Sequence, residues 1–209
     1  MGLHLGDIAP DFTANTTQGV IQFHEWIGDQ WAVLFSHPAD FTPVCTTELG
    51  ATAKRADEFA ARGVKVAALS VDALDQHHAW VPDIEVTQQT SVYFPIIADP
   101  QSMVSRLYGM IHPEQSSTQT VRSVFIIDPA KKIRLTMTYP MSIGRNFDEI
   151  IRVIDALQLS DRHEIATPAN WQQGDRCIVP LRISDEQARA RFTEFEAVRP
   201  YLRFTAQPE

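Results

Sequence analysis

Trp31-Ala32-Val33-Leu34-Phe35-Ser36-His37-Pro38-Ala39-Asp40-Phe41-Thr42-Pro43-Val44-Cys45-Thr46-Thr47-Glu48-Leu49 joins a short apolar run to a helix start. Residues 31–35 are β-branched, aromatic or small and apolar, the pattern of a buried strand. Beyond the loop, Leu49, Ala53, Ala56, Phe59 and Ala60 recur at helical spacing until Gly63, which suits a C′ stop. The spacing predicts one helix that begins after Thr42, with Pro43 at the first position and Cys45 at the third. Free backbone N–H groups and the positive end of the helix dipole meet there and favour the thiolate, the reactive form of cysteine. The alternative is that Cys45 is a small packed apolar residue. Thr42, one turn earlier, can direct its hydroxyl at the sulfur or at whatever the sulfur attacks. Pro38 and Pro43 stiffen the loop and remove competing donors. Asp40 and Glu48 read either as solvated charges or, for Glu48 at i+3 from Cys45, as a group that orients a nearby cation.

The rest of the 209-residue chain provides for one well-cored domain and a small appendage. A formal charge of −8, from 26 acidic and 18 basic residues, argues against a nucleic-acid surface. No apolar run approaches the ~20 residues that span a bilayer, and the start Met1-Gly2-Leu3-His4-Leu5-Gly6-Asp7 has neither the basic nor the apolar part of a signal peptide. A cytoplasmic protein without membrane or nucleic-acid partners is expected. With two cysteines, Cys45 and Cys177, a structural disulfide is not expected in that compartment. Cys177, in the apolar run Cys177-Ile178-Val179-Pro180-Leu181, reads as packed, with a resolving thiol as the alternative.

Along the chain, the turn Gln18-Gly19 precedes a short strand at 20–23, and residues 64–71 form a buried strand. A helix is expected from Asp75 to just before Pro82. Its neighbours His77 and His78 point about 100° apart, so they read as surface histidines and not as a metal pair. A strand at 94–99, a helix at 101–108 stopped by Gly109, a polar loop at 111–121, and strands at 122–129 and 132–139 joined through Ala130-Lys131 follow. Asn146 suits the cap of a helix with Ile150, Ile151, Val153, Ile154 and Leu157 on its apolar face. Strands alternating with helices indicate an α/β protein with a mostly parallel sheet and an antiparallel edge. The pattern breaks at Thr167. The tail 167–209, with a strand near 177 and a helix over 185–197, is too small to core itself, so residues 1–166 and 167–209 are taken as the two domains. Arg122, opening a core strand, reads from its position as a solvated end residue or a surface ion-pair member.

Pro38-x-x-x-Thr42-x-x-Cys45 resembles the active-site motif of the peroxiredoxins, and the string from His37 to Leu49 is similar to their one-cysteine subgroup. The resemblance, which spans the whole chain, implies a thioredoxin-like fold with an N-terminal hairpin and a C-terminal extension. It implies a hydroperoxide reductase with Cys45 as the attacking thiol. Thr42, Val44 and Arg122 would bind the substrate, and Pro38 would shape the loop. Arg145 matches a second family arginine, against the alternative of surface pairing with Asp148 or Glu149. His37 would bond the sulfur or the leaving oxygen, or simply end a strand. No cofactor or metal is implied. The extension would pack across a homodimer interface, with rings of dimers as a further step, and it supplies no resolving cysteine, so an external thiol or another small reductant must restore Cys45. Thioredoxin-type exchange is not expected, because Thr42 stands where Cys-x-x-Cys needs its first thiol. Vertebrate members carry a Gly-x-Ser-x-Gly lipase-like motif at the position of 28–32. Here Gln30 replaces the serine, Ala32 the second glycine and Ala130 the acidic partner, leaving only His24, so no serine phospholipase activity is expected.

The same motif also serves a redox sensor or holdase in which oxidised Cys45 changes assembly. A Cys–His hydrolase with His37 as base is a third reading.

Overall fold

In the computed structural model, which describes residues 2–209, the apolar run is β3 (Trp31–Ser36), an interior strand of a seven-stranded sheet ordered β2-β1-β5-β4-β3-β6-β7. The hairpin of β1 (Thr13–Thr16) and β2 (Gly19–Gln22) and the short α1 (Phe23–Ile27) come before it. After it come α2 (Pro43–Ala53), α3 (Ala56–Ala61), β4 (Val64–Ser70), α4 (Leu74–Gln88), β5 (Ile96–Ala98), α5 (Met103–Leu107), β6 (Arg122–Ile127) and β7 (Ile133–Tyr139). This is the expected α/β, thioredoxin-like core with its N-terminal hairpin. The sheet is less parallel than expected: only β3–β4 and β4–β5 run parallel. The hairpins β1–β2 and β6–β7 have connections too short for a crossover, and β5 and β3 pair antiparallel to them. Leu34, Ala67, Leu69, Ile97, Phe125 and Ile127 form the core with Phe23, Ile27 and Tyr108.

Three expected helices have different bounds. The helix that carries Cys45 does not run through to Gly63: α2 ends at Ala53 and α3 begins at Ala56. The Thr52 hydroxyl donates back to the Glu48 carbonyl, a bond that bends helices, and Arg55 N–H bonds the Thr52 carbonyl in a tightened turn. Gly63 does end the second segment, at φ +62. Helix α4 continues through Pro82 to Gln88. Pro82 and His78, whose carbonyl loses its helical donor, are both exposed residues, while buried Trp80 and Ile84 hold the helix in place. In the tail, α7 (Asp185–Arg191) stops short of 197. Phe192 turns extended, and Glu196–Arg199 forms β9, paired with β10 (Leu202–Thr205).

The chain divides into two compact units, up to Phe147 and from Asp148 to Glu209. The second holds nearly all of α6 (Phe147–His163) together with β8 (Cys177–Ile178) and the elements just named. It has small apolar clusters of its own: Leu159, Ile165, Trp171 and Cys177, then Val179, Ile183 and Ala188. Buried Arg203 ties the unit together by donating to the carbonyls of Ile183 and Pro180 and to Asp185.

Candidate active site

The site is built where β3 gives way to α2, against the start of β6. Thr42 has the extended backbone of an N-cap (φ −113°, ψ 146°), with Pro43 and Cys45 in the first turn as the spacing predicts. Its hydroxyl does not cap the helix. It donates to the Ala39 carbonyl at 2.8 Å, which leaves the oxygen lone pairs free to accept. Pro38, Ala39, Thr42, Pro43, Val44, Gln119, Arg122 and Met141 line a cavity of about 220 Å³. Cys45 is fully buried and its thiol is unpaired with Cys177.

Arg122 begins β6 opposite Tyr139 and is itself buried. Its Nη1 lies 3.4 Å from Cys45 Sγ and 2.7 Å from Glu48 Oε2, while Nε and Nη2 donate to the Met141 carbonyl at 3.0 and 2.7 Å. One planar fork thus reaches the sulfur, a carboxylate and a backbone carbonyl at once. Glu48 orients a cation as its i+3 position suggests, and in fact holds two. Its Oε1 accepts from Arg145 N and Nε at 2.8 and 2.9 Å, and Oε2 accepts from Arg145 Nη2 at 2.6 Å. Arg145 is buried and leans over the Phe35 ring at 4.9 Å, so of the two readings for it, surface pairing with Asp148 or Glu149 does not hold. Burial pushes the Glu48 carboxyl up, but the Arg145 hydrogen bonds and charge, with Arg122 behind them, outweigh it and hold the group below the usual carboxylate range.

His37 is buried at the end of β3 and bonds Asp40. The surface reading of the pair at 77 and 78 is half corrected. His78 is exposed, whereas His77 is fully buried, with Asp40 Oδ2 at 2.6 Å and the Ile97 carbonyl oxygen at 3.2 Å. The inward face of α4 carries 77, 80 and 84, the i, i+3, i+7 spacing, which was the signal available for it. The contribution of Met141 through its carbonyl has no side-chain signature, and Gln119 lay in a segment read only as a polar loop. Among the described residues, His37, Asp40 and Asp72 form one group with metal-ligand atoms within 4.8 Å. Those atoms already bond one another's loop, His77 and Ser70, so the group reads as a hydrogen-bonded network. His24, which alone remains of the lipase-like trio, bonds the Ala9 carbonyl through its ring.

A buried thiol in the first turn of a helix, with a guanidinium on it and an apolar-lined cavity at the loop, is an arrangement that suits a cysteine nucleophile. The chain belongs to the AhpC/TSA family, which matches residues 5–136, and residues 156–194 match the C-terminal domain of 1-Cys peroxiredoxin. It is 49% identical to the 1-Cys peroxiredoxin of Dictyostelium discoideum, covering 99% of this chain and 86% of that one. It is 47% identical to peroxiredoxin-6 of Mus musculus, over 99% of each chain. Among solved structures, a cysteine-to-serine mutant of the peroxiredoxin 6 of Arenicola marina superposes with a TM-score of 0.95 at 45% identity, each chain covered completely. A yeast mitochondrial 1-Cys peroxiredoxin, described for thiol resolution via glutathione and thioredoxin systems, gives 0.93 at 49% identity, covering 98% of this chain and 99% of that one. The protein is a peroxiredoxin, a thiol-dependent peroxidase of the one-cysteine type.

Proposed function

We propose that Cys45 is the peroxidatic thiol and that the residues around it divide the work as follows. The thiolate attacks the terminal oxygen of a hydroperoxide. An S–O bond forms, the O–O bond breaks, and the alkoxide or hydroxide leaves and takes up a proton, so Cys45 becomes a sulfenic acid that keeps the peroxide hydroxyl. Arg122 holds the sulfur as an anion and stabilises the charge as it moves along the S–O–O axis. Thr42 accepts the peroxide hydroxyl hydrogen, because its own hydrogen is committed to Ala39. Val44 and Pro38 form the apolar wall, and Arg145 fixes Glu48 and hence Arg122. An external thiol then condenses with the sulfenic acid to a mixed disulfide and water, and a second thiol releases Cys45. The Arg122 Nη1–Cys45 Sγ contact at 3.4 Å is the observation that carries this reading.

Cys177 takes no part, packed as it is against Trp171 and Leu159, with burial pushing its thiol up, away from the reactive anion. The protein works in the cytoplasm as a homodimer, with residues 167–209 as the dimerisation extension. Cys45→Ser should abolish hydroperoxide consumption with a thiol reductant, and Cys177→Ser should leave it nearly intact. A Cys177→Ser enzyme that turns over once and stalls would make this a two-cysteine mechanism and overturn the assignment.

A further inference from the structure

Beside the cavity lies a buried cluster that the chemistry above does not use. His37 Nε2 and Asp40 Oδ1 are 2.9 Å apart, and His77 Nδ1 and Asp40 Oδ2 are 2.6 Å apart; all three side chains are at most 1% exposed. The other nitrogen of His77 faces the Ile97 carbonyl oxygen at 3.2 Å. Carboxylate and carbonyl oxygens can only accept, so each His77 nitrogen faces an acceptor, and an N–H on both satisfies the two contacts. By the same rule His37 carries a proton on Nε2. Burial works against the Asp40 carboxylate, but the bonds from His37 and His77 outweigh it and hold the carboxyl below its usual range. Burial pushes the His37 ring the other way, below the usual imidazole value, which favours its neutral form.

What remains is His37 Nδ1: a bare lone pair, buried, with no hydrogen-bond partner. A buried acceptor is not left unpaired without cost. It opens the loop whose next residues, Pro38, Ala39 and Thr42, wall the cavity. Asp40 anchors that loop from a third side, since its backbone N–H donates to Asp72. The following residue, Phe41, is held at φ +54°, a conformation an aromatic residue adopts only under constraint.

We infer that Asp40 and His77 are positioning residues of the peroxidase: their ion pair locks His37 in the Nε2–H tautomer, so that it presents an acceptor and not an N–H to the reacting groups. This rests on the peroxidase reading and adds a direction to it. A lone pair cannot support the thiolate, so His37 engages only a species that bears a hydroxyl, either the hydroperoxide or the sulfenic acid.

The test uses the full chain labelled with ¹⁵N-histidine. Long-range ¹H–¹⁵N correlations of the reduced protein at pH 7 should show His77 protonated on both nitrogens and His37 protonated on Nε2 only, assigned with His77→Gln and His37→Gln. In His77→Gln and Asp40→Asn, the His37 ring should lose its single tautomer, and stopped-flow oxidation of Cys45 by hydrogen peroxide should slow by about tenfold or more. A proton on His37 Nδ1, a neutral His77, or variants that melt earlier yet oxidise at the parent rate with His37 signals unmoved would each overturn the inference. If the variants fail to fold, the ring states of the unsubstituted protein decide. A parent protein that consumes no peroxide would sink the peroxidase reading, which the ring assignments do not measure.

Discussion

Glu48→Gln is the perturbation that bears most on how the site is held together. The carboxylate accepts four hydrogen bonds at 2.6 to 2.9 Å, two on each oxygen, from Arg122 and Arg145. Glutamine keeps one accepting oxygen and turns the other into a donor facing Arg122 Nη1 and Arg145 Nη2. Two charge-assisted bonds are lost, at about 1.5–3 kcal/mol each, and two buried guanidinium groups are left without their counter-charge. Breaking a buried pair in this way costs about 3–5 kcal/mol, and we expect that loss in urea denaturation at pH 7 with an unchanged m-value. The pH dependence has a definite sign. The Glu48 carboxyl titrates lower in the folded chain than in the unfolded one. Its stabilisation is therefore complete above the unfolded value, about 4.3 for glutamate, and is lost as pH falls through the folded value. The gap between parent and variant should narrow through that acid window. Arg122 would also be freed to move, so peroxide oxidation of Cys45 should slow by about 100-fold. A loss below 1 kcal/mol that does not change with pH, or an unchanged oxidation rate, would refute the reasoning.

Arg122→Lys keeps the charge but cannot reach the sulfur, Glu48 and the Met141 carbonyl together; the rate constant for Cys45 oxidation should fall by about 10²–10³, as for loss of one preorganised donor. Gly50→Ala would place a Cβ 2.4 Å from Gln88 Cγ and 2.6 Å from its Cβ. The helix that carries Cys45 must then part from α4, and a cost of about 1–3 kcal/mol should appear in thermal unfolding. Arg203→Met strips the donors from the carbonyls of Ile183 and Pro180. Amide hydrogen exchange should quicken through residues 177–205 while β3 and β4 keep their protection.

Much of the site was legible because its chemistry is local. An apolar strand, a proline-stiffened loop and a helix start fix where Cys45 stands, and Glu48 lies one turn along the same helix. Arg122 could be placed at a strand end, and its approach to the sulfur followed only from the resemblance, since the sheet pairing that brings β6 beside β3 has no local signature. For Arg145, sequence left two readings level. Whether it meets Glu48 or the acids just after it depends on the fold's closing a span of about 97 residues between them. His77 was misread because two adjacent histidines looked like a surface pair, and its partner Asp40 lies 37 positions earlier in the chain. The break at Lys54 and Arg55 escaped because a Thr52 back-bond bends a helix without disturbing its apolar spacing.

Mass spectrometry of the reduced protein after one equivalent of hydrogen peroxide tests the central claim most directly. The claim predicts one added oxygen, trapped as sulfenic acid on Cys45, with Cys177 still a free thiol. An unmodified Cys45, or a disulfide joining Cys45 to Cys177, would contradict it.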